Sequence, residues 1–184
     1  MLNKLIPTYV FKSIYDINLK DLYDSGIRLI LTDLDNTLIT YAEKMPDDKL
    51  FEFKNEVLNI GFEIILVSNS RKERVSNFAK AFDIKYHMFS KKPLKKGINE
   101  SIKMADKEYK NDEIILIGDQ LMTDILGANR CKIKSGLIYP IDKKTEKFVT
   151  RFNRIFEQFF LNRLRKRKKY KEIYNDMLKE FDEL

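Results

Sequence analysis

The chain has 184 residues, 43% of them apolar and 34% charged, with a single cysteine and a single histidine. That is enough apolar material for one domain with a continuous core but too little length for two well-buried ones, and a lone Cys131 and a lone His87 exclude both a disulfide framework and a zinc site made of Cys and His alone. The net charge of +7 is local, because Arg163, Arg165, Lys166, Arg167, Lys168 and Lys169 carry six of those charges and leave about one for everything else.

The N-terminus has neither an apolar run long enough to span a bilayer nor a secretory pattern, so a cytoplasmic, reducing location is expected. Val10, Phe11, Ile14 and Ile17 recur at helical steps and predict a helix over the sheet edge or core, with membrane contact as the alternative. Continuous apolar runs at 28–32, 62–67 and 114–117 predict strands buried on both faces, and weaker runs at 84–89 and 136–139 add two more. Amphipathic stretches at 47–59, 71–82, 93–105 and 121–130 predict the helices between them. Gly61 is placed to end the first of these, and Pro93 to occupy the first turn of the third. Strands alternating with helices specify an α/β fold with a doubly wound, mostly parallel sheet and helices on both faces. Residues 1–142 form this domain. A C-terminal extension, 143–184, combines a stripe of Phe148, Phe152, Ile155, Phe156 and Phe159 with the basic run and an acidic tail over 172–183.

The chemistry-bearing residues stand where the expected strands end, which is where open α/β sheets bind ligands. Asp33 and Asp35, in the run Asp33-Leu34-Asp35-Asn36-Thr37-Leu38, follow the first buried strand. Two residues apart on a turning chain, one acid can attack while the other moves a proton, unless both merely shape a solvated turn. Ser68-Asn69-Ser70 follows the second strand and either caps a helix or holds a phosphate oxygen beside backbone N–H groups. Lys91-Lys92-Pro93 comes next, a solvated pair or a cation fixed to balance a phosphoryl group. Gly118-Asp119 and, further on, Asp124 complete the order, as helix caps or as carboxylates for a hard cation.

With Asp-x-Asp-x-Thr, then Ser, then Lys, then Gly-Asp with a later Asp, the chain resembles the haloacid dehalogenase (HAD) superfamily over residues 28 to about 140. The leader Leu2-Asn3-Lys4-Leu5-Ile6-Pro7, the segment Lys12-Ser13-Ile14-Tyr15-Asp16-Ile17 and the phrase from Leu31 to Leu38 are similar to the subfamily IIIA, YqeG-type phosphatases, a group related to mitochondrial phosphatidylglycerophosphate phosphatase. The resemblance implies a HAD-like (Rossmann-like) sheet with no cap domain, since 38–60 and 71–91 have room for only a flap, two helices and a strand. It implies Asp33 as nucleophile, Asp35 as acid and base, and Lys92 rather than Lys91 as the phosphoryl-balancing cation. Ser68 and Asn69 would hold the phosphoryl group, and Mg²⁺ would lie on Asp33, Asp119 and the backbone carbonyl of Asp35, with Asp124 in support.

An open, capless site suits a phosphate carried on something large, and the expected reaction is hydrolysis of phosphatidylglycerophosphate to phosphatidylglycerol. The alternatives are a phosphatase for a soluble or protein phosphoester and an RNA- or ribosome-associated binding protein on the same fold. The 148–169 segment can pack on its own domain, lie peripherally on an anionic membrane or bind nucleic acid, and its pattern does not separate these. His87 is expected to be structural and Cys131 to be inert packing.

Overall fold

The computed structural model describes residues 2–71, 73–142 and 148–183, with the side chains of Phe148, Val149 and Arg151 outside that description. The expected start of the C-terminal extension at 143 therefore lies outside the described residues. The elements run β1 (Tyr9–Phe11), α1 (Leu19–Asp24), β2 (Leu29–Thr32), α2 (Asp48–Ile60), β3 (Glu63–Val67), α3 (Glu73–Ala81), β4 (Lys85–His87), α4 (Lys95–Ile102), β5 (Ile114–Gly118), α5 (Leu126–Cys131), β6 (Lys134–Ile138) and α6 (Phe148–Lys166). A broken helical return over 168–182 follows α6 and includes α7 (Lys171–Ile173) and α8 (Lys179–Asp182).

Six strands form one all-parallel sheet in the order β1-β6-β5-β2-β3-β4. The chain goes outward from β2 to β3 and β4, then returns to place β5 on the other side of β2. The crevice beyond the carboxyl ends of β2 and β5 is thus the switch point of the sheet, where a ligand site is expected.

Successive side chains of the central strands face opposite layers, so a run such as Leu29-Ile30-Leu31 must be apolar throughout. Ile30, Ile64, Leu66 and Ile115 share a core with Leu50, Phe53 and Val57 of α2 and Val75 and Phe78 of α3. Leu29, Leu31, Ile65 and Leu116 face the other way, onto Ile98 of α4 and Ala128 of α5. A third cluster joins Leu137, Leu121 and Ile125 to Phe160, Leu161 and Leu164 of α6 and to Tyr170, Tyr174, Leu178 and Phe181 of the return. Each fully buried Leu, Ile or Phe in these layers contributes about 1.5–3 kcal/mol relative to exposure.

Local signals account for most boundaries. Asp47 accepts the N–H of Leu50 at 2.8 Å to cap α2, and Gly61 ends it in the left-handed region at φ 109°. Three expectations are corrected. The stripe Val10, Phe11, Ile14 and Ile17 is not one helix: Tyr9–Phe11 is an edge strand beside β6, and Ser13 caps a single tight turn over Ile14–Asp16. Ile14 and Ile17 are buried as the stripe required, but the aromatic and β-branched Tyr9-Val10-Phe11 favours extended backbone. Pro93 lies before the helix rather than in its first turn, since α4 begins at Lys95 with Leu94 as cap residue. The 121–130 stretch divides into one wide, π-type turn at Leu121–Ile125 and then α5.

Candidate active site

Asp33 leaves β2 with its N–H donated to the carbonyl of Ile117 at 2.9 Å, so the pairing of β2 with β5 fixes where its carboxylate begins. The next residues close a tight loop in which Leu34 O accepts the N–H groups of Leu38 and Ile39 at 3.1 and 3.2 Å. Asn36 turns the chain at φ 63°, a conformation Asn tolerates better than most residues, and its own N–H reaches Ile39 O at 2.8 Å. Asp33 and Asp35 are held, both buried, on a short rigid loop at the sheet's switch point.

Lys92 decides between the two neighbouring lysines. Its ammonium donates to Asp33 Oδ1 at 2.7 Å and to the carbonyl of Val67 at 2.7 Å, and pairs with Asp124 Oδ1 at 2.8 Å. Lys91 is exposed, with its ammonium 4.6 Å from the centre of the Phe89 ring. Burial opposes charge on Lys92, yet Asp124 and Asp33 more than offset that and raise its pKa above the ordinary lysine value.

The expected phosphate-binding pair behaves differently from one residue to the next. Ser68, buried at the end of β3, lines the pocket and accepts the N–H of Ser70 at 3.1 Å. Asn69 is spent on the lysine loop: its Oδ1 accepts from Lys92 N at 2.6 Å and Ser90 Oγ at 3.0 Å, and its Nδ2 donates to Lys92 O at 3.0 Å. The side chain expected to grip a phosphate thus holds Lys92 in place while it lines the same pocket. Gly97 lets α4 approach this loop, because a Cβ there would lie 1.9 Å from the carbonyl oxygen of Ser90.

Beyond β5, Asp119 and Asp124 are fully buried. Asp124 Oδ2 accepts from Gln120 N and Thr123 Oγ1, each at 3.1 Å, and Gly118 is required because a Cβ there would lie 2.3 Å from Asp124 Cγ. Asp33, Asp119 and Asp124 bring one carboxylate oxygen each within 4.8 Å of one another. Asp119 Oδ1 is buried with no hydrogen-bond partner among the described residues. Burial raises the pKa of Asp119 well above the usual carboxylate value; Arg154 opposes the shift, and Asp124 and Asp33 add to it. Burial likewise raises Asp33, against Lys92. Three crowded, dehydrated carboxylates, one with an unsatisfied oxygen, form an all-oxygen donor set that fits a hard divalent cation. The side chain of Asp35 is not among these donors. It forms an ion pair with Arg74, which also donates to Glu43 O at 2.6 Å and ties the 40–43 flap to the site.

Several site residues have no counterpart in the sequence-based expectation. Arg154 of α6 pairs with the Asp119 carboxylate and donates to its backbone carbonyl at 2.8 Å, and Glu157 receives Arg154 at 2.9 Å. Glu157 also accepts the N–H of Leu121 at 2.6 Å, capping the turn that carries Asp124. Burial raises the pKa of Glu157, partly opposed by Arg154. Tyr41 of the flap meets Thr150 of α6 at 2.9 Å, and Thr150 and Asn153 complete the wall of a pocket of about 410 Å³ that contains Asp33, Asp35, Ser68 and Lys92. A larger groove of about 890 Å³ along β4 is remote from these carboxylates, and its Lys85 pairs with Glu63 and Asp106. His87 bonds Gly97 O at 2.9 Å and Ser101 Oγ at 2.8 Å, a packing role. Cys131 is half-buried beside the second core layer.

The family described as mitochondrial PGP phosphatase matches residues 2–137 of this chain. The chain belongs to that family. It is 33% identical over 168 residues to the probable phosphatase YqeG of Bacillus subtilis, an alignment that covers 91% of this chain and 96% of YqeG. A crystal structure of an uncharacterized protein from Listeria monocytogenes serotype 4b overlaps it with a TM-score of 0.48 at 18% identity, covering 59% of this chain and 76% of that one. The Bacillus subtilis protein YfnB, described as a HAD-hydrolase bound to magnesium, overlaps with a TM-score of 0.45 at 14% identity, covering 64% and 89% of the two chains. The protein is a phosphatase of the PGP phosphatase family. The family match ends within β6, so Thr150, Asn153, Arg154 and Glu157 reach the site from outside the matched span.

Proposed function

We propose that this chain is a Mg²⁺-dependent phosphomonoesterase that works through an aspartyl-phosphate on Asp33 and hydrolyses phosphatidylglycerophosphate to phosphatidylglycerol. The observation that carries the chemistry is the buried trio Asp33, Asp119 and Asp124, with Lys92 joined to two of the three. Asp33 attacks phosphorus: its bond to phosphorus forms as the bond to the leaving oxygen breaks, and Asp35 gives that oxygen a proton. Asp35 then takes a proton from water, whose oxygen attacks the phosphoryl group, and Asp33 leaves as carboxylate with release of inorganic phosphate. Lys92 orients Asp33 and stabilises negative charge on the transferring group, while Asn69 holds Lys92. Asp33, Asp119, Asp124 and the backbone carbonyl of Asp35 would hold Mg²⁺, which when bound offsets the repulsion between an anionic nucleophile and an anionic phosphate. Ser68 and backbone N–H groups beside it receive a phosphoryl oxygen.

The lipid substrate is supported by the lack of an inserted cap among the described residues and by membership in a family described as a PGP phosphatase. Hydrolysis of phosphatidylglycerophosphate in mixed micelles, with and without Mg²⁺ and beside Asp33→Asn, tests both parts. Turnover that needs Mg²⁺ and Asp33 is expected. Turnover of soluble esters alone would remove the lipid assignment and leave the mechanism standing.

A further inference from the structure

Helix α6 has two working faces. Its inner face carries Glu157, Phe160, Leu161 and Leu164, all buried, and brings Thr150, Asn153 and Arg154 to the pocket. Steps of three and four residues align Phe152, Ile155, Phe156 and Phe159 on the opposite side, continued by Arg163 and Lys166. The four apolar side chains are 53%, 66%, 44% and 52% exposed, so this stripe is not the packing face that the periodicity alone allowed. The acidic tail does not cover it either: Tyr174, Leu178 and Phe181 join the cluster on the inner side. Phe152 and Phe156 meet edge to face at 5.0 Å, and the Arg163 guanidinium lies 4.7 Å from the centre of the Phe159 ring, making one continuous aromatic and cationic ridge.

We infer that this ridge is a docking face for an anionic lipid bilayer, which tethers the domain at the membrane surface. The charge distribution selects the occupant. Between residues 148 and 169 there is one acid, Glu157, and it is buried and paired to Arg154, so every charged side chain described as exposed along this segment is cationic. An aromatic and aliphatic row with cations continuing it matches the boundary between acyl chains and anionic headgroups. Nucleic acid would use the cations and the rings but gains nothing from Ile155, the most exposed member of the row. No helix among the described residues is long and apolar enough to cross a membrane, so the contact is peripheral. Thr150 and Asn153 line the pocket from the other side of the same helix, so a docked ridge holds the pocket one helix diameter, about 10–12 Å, from the bilayer. The benefit to catalysis rests on the lipid-substrate reading above, whereas the docking itself does not.

The test is sedimentation of the full chain with vesicles of phosphatidylglycerol and phosphatidylcholine, and with phosphatidylcholine alone. Neither vesicle contains a phosphomonoester, so binding is read independently of turnover. The intact protein should bind the anionic vesicles and not the neutral ones. A Phe152→Ser, Phe156→Ser, Phe159→Ser triple variant should lose binding by about tenfold or more, and so should Arg163→Glu with Lys166→Glu. Both should keep their hydrolysis of p-nitrophenyl phosphate, because no substituted residue touches the pocket. Unchanged vesicle binding in the two variants would overturn the inference. So would a triple variant that changes from dimer to monomer in size-exclusion chromatography, or one that loses binding to single-stranded RNA but not to vesicles. Vesicle binding by a protein that fails to hydrolyse phosphatidylglycerophosphate would uphold the docking face and defeat only the proposed substrate.

Discussion

The strand-end site and helix α6 build one pocket by different means. Asp33, Ser68 and Asp119 are each placed by the strand they follow: the strand ends, the backbone turns, and the side chain stands at the switch point of the sheet, with Lys92 propped beside them by Asn69 from the next strand end. Arg154 and Glu157 are placed by nothing local. They reach Asp119 and Leu121 only because α6 packs through Phe160, Leu161 and Leu164 against residues more than twenty positions earlier in the chain. The first kind of site can be assembled strand by strand; the second depends on a long-range packing event and fails if that event fails.

Substitutions on the two sides should separate them. The largest effect is expected for Lys92→Ala, which removes the cation from Asp33 and Asp124 and leaves two buried carboxylates without it. A loss of roughly 10³-fold in kcat is expected in steady-state assays, at the upper end for a single charge-stabilising donor. A smaller loss, about 10- to 100-fold with a raised Mg²⁺ requirement, is expected for Glu157→Gln, which acts through Arg154 and the turn bearing Asp124. A Mg²⁺ titration of kcat/KM checks this, and an unchanged Mg²⁺ requirement would mean that α6 only covers the site.

Stability effects sharpen the contrast further. Gly97→Ala puts a methyl group against the Ser90 carbonyl, and chemical denaturation should report about 1–3 kcal/mol of destabilisation. Smallest of all should be the effect of adding Mg²⁺ to the resting protein at a concentration equal to its dissociation constant. It should stabilise the fold by about 0.4 kcal/mol at that concentration, read as a small rise in the thermal midpoint, and EDTA should reverse it. Asp119→Asn should abolish that rise, whereas the same rise in the variant would place the cation elsewhere.

The same contrast explains what could be read before the structure. Asp33, Ser68 and Asp119 were readable because each follows an apolar run whose burial on both faces marks where the strand ends, whereas Lys92 follows the weaker, half-buried β4 and was marked by the adjacent Pro93 and by its place in the order. The second task of Asn69, propping the lysine loop, was not readable because only the fold brings residue 69 to 92. The edge strand Tyr9–Phe11 was hidden by apolar spacing compatible with a helix, and its partner β6 lies far along the chain. The stripe on α6 was visible as a stripe, but its direction was not. Two apolar rows share that helix, Phe152-Ile155-Phe156-Phe159 and Phe160-Leu161-Leu164, and periodicity alone does not choose which is buried.

The account rests on Asp33 as the atom-transferring group, and trapping the phosphoenzyme tests that most directly. The protein is mixed with substrate and Mg²⁺, quenched in acid within one turnover, reduced with borohydride and mapped by peptide mass spectrometry. Reduction of an aspartyl-phosphate should convert residue 33, and no other aspartate, to homoserine, and Asp33→Asn should yield no such product and no turnover. Modification at a different residue, or full turnover by Asp33→Asn, would contradict the mechanism.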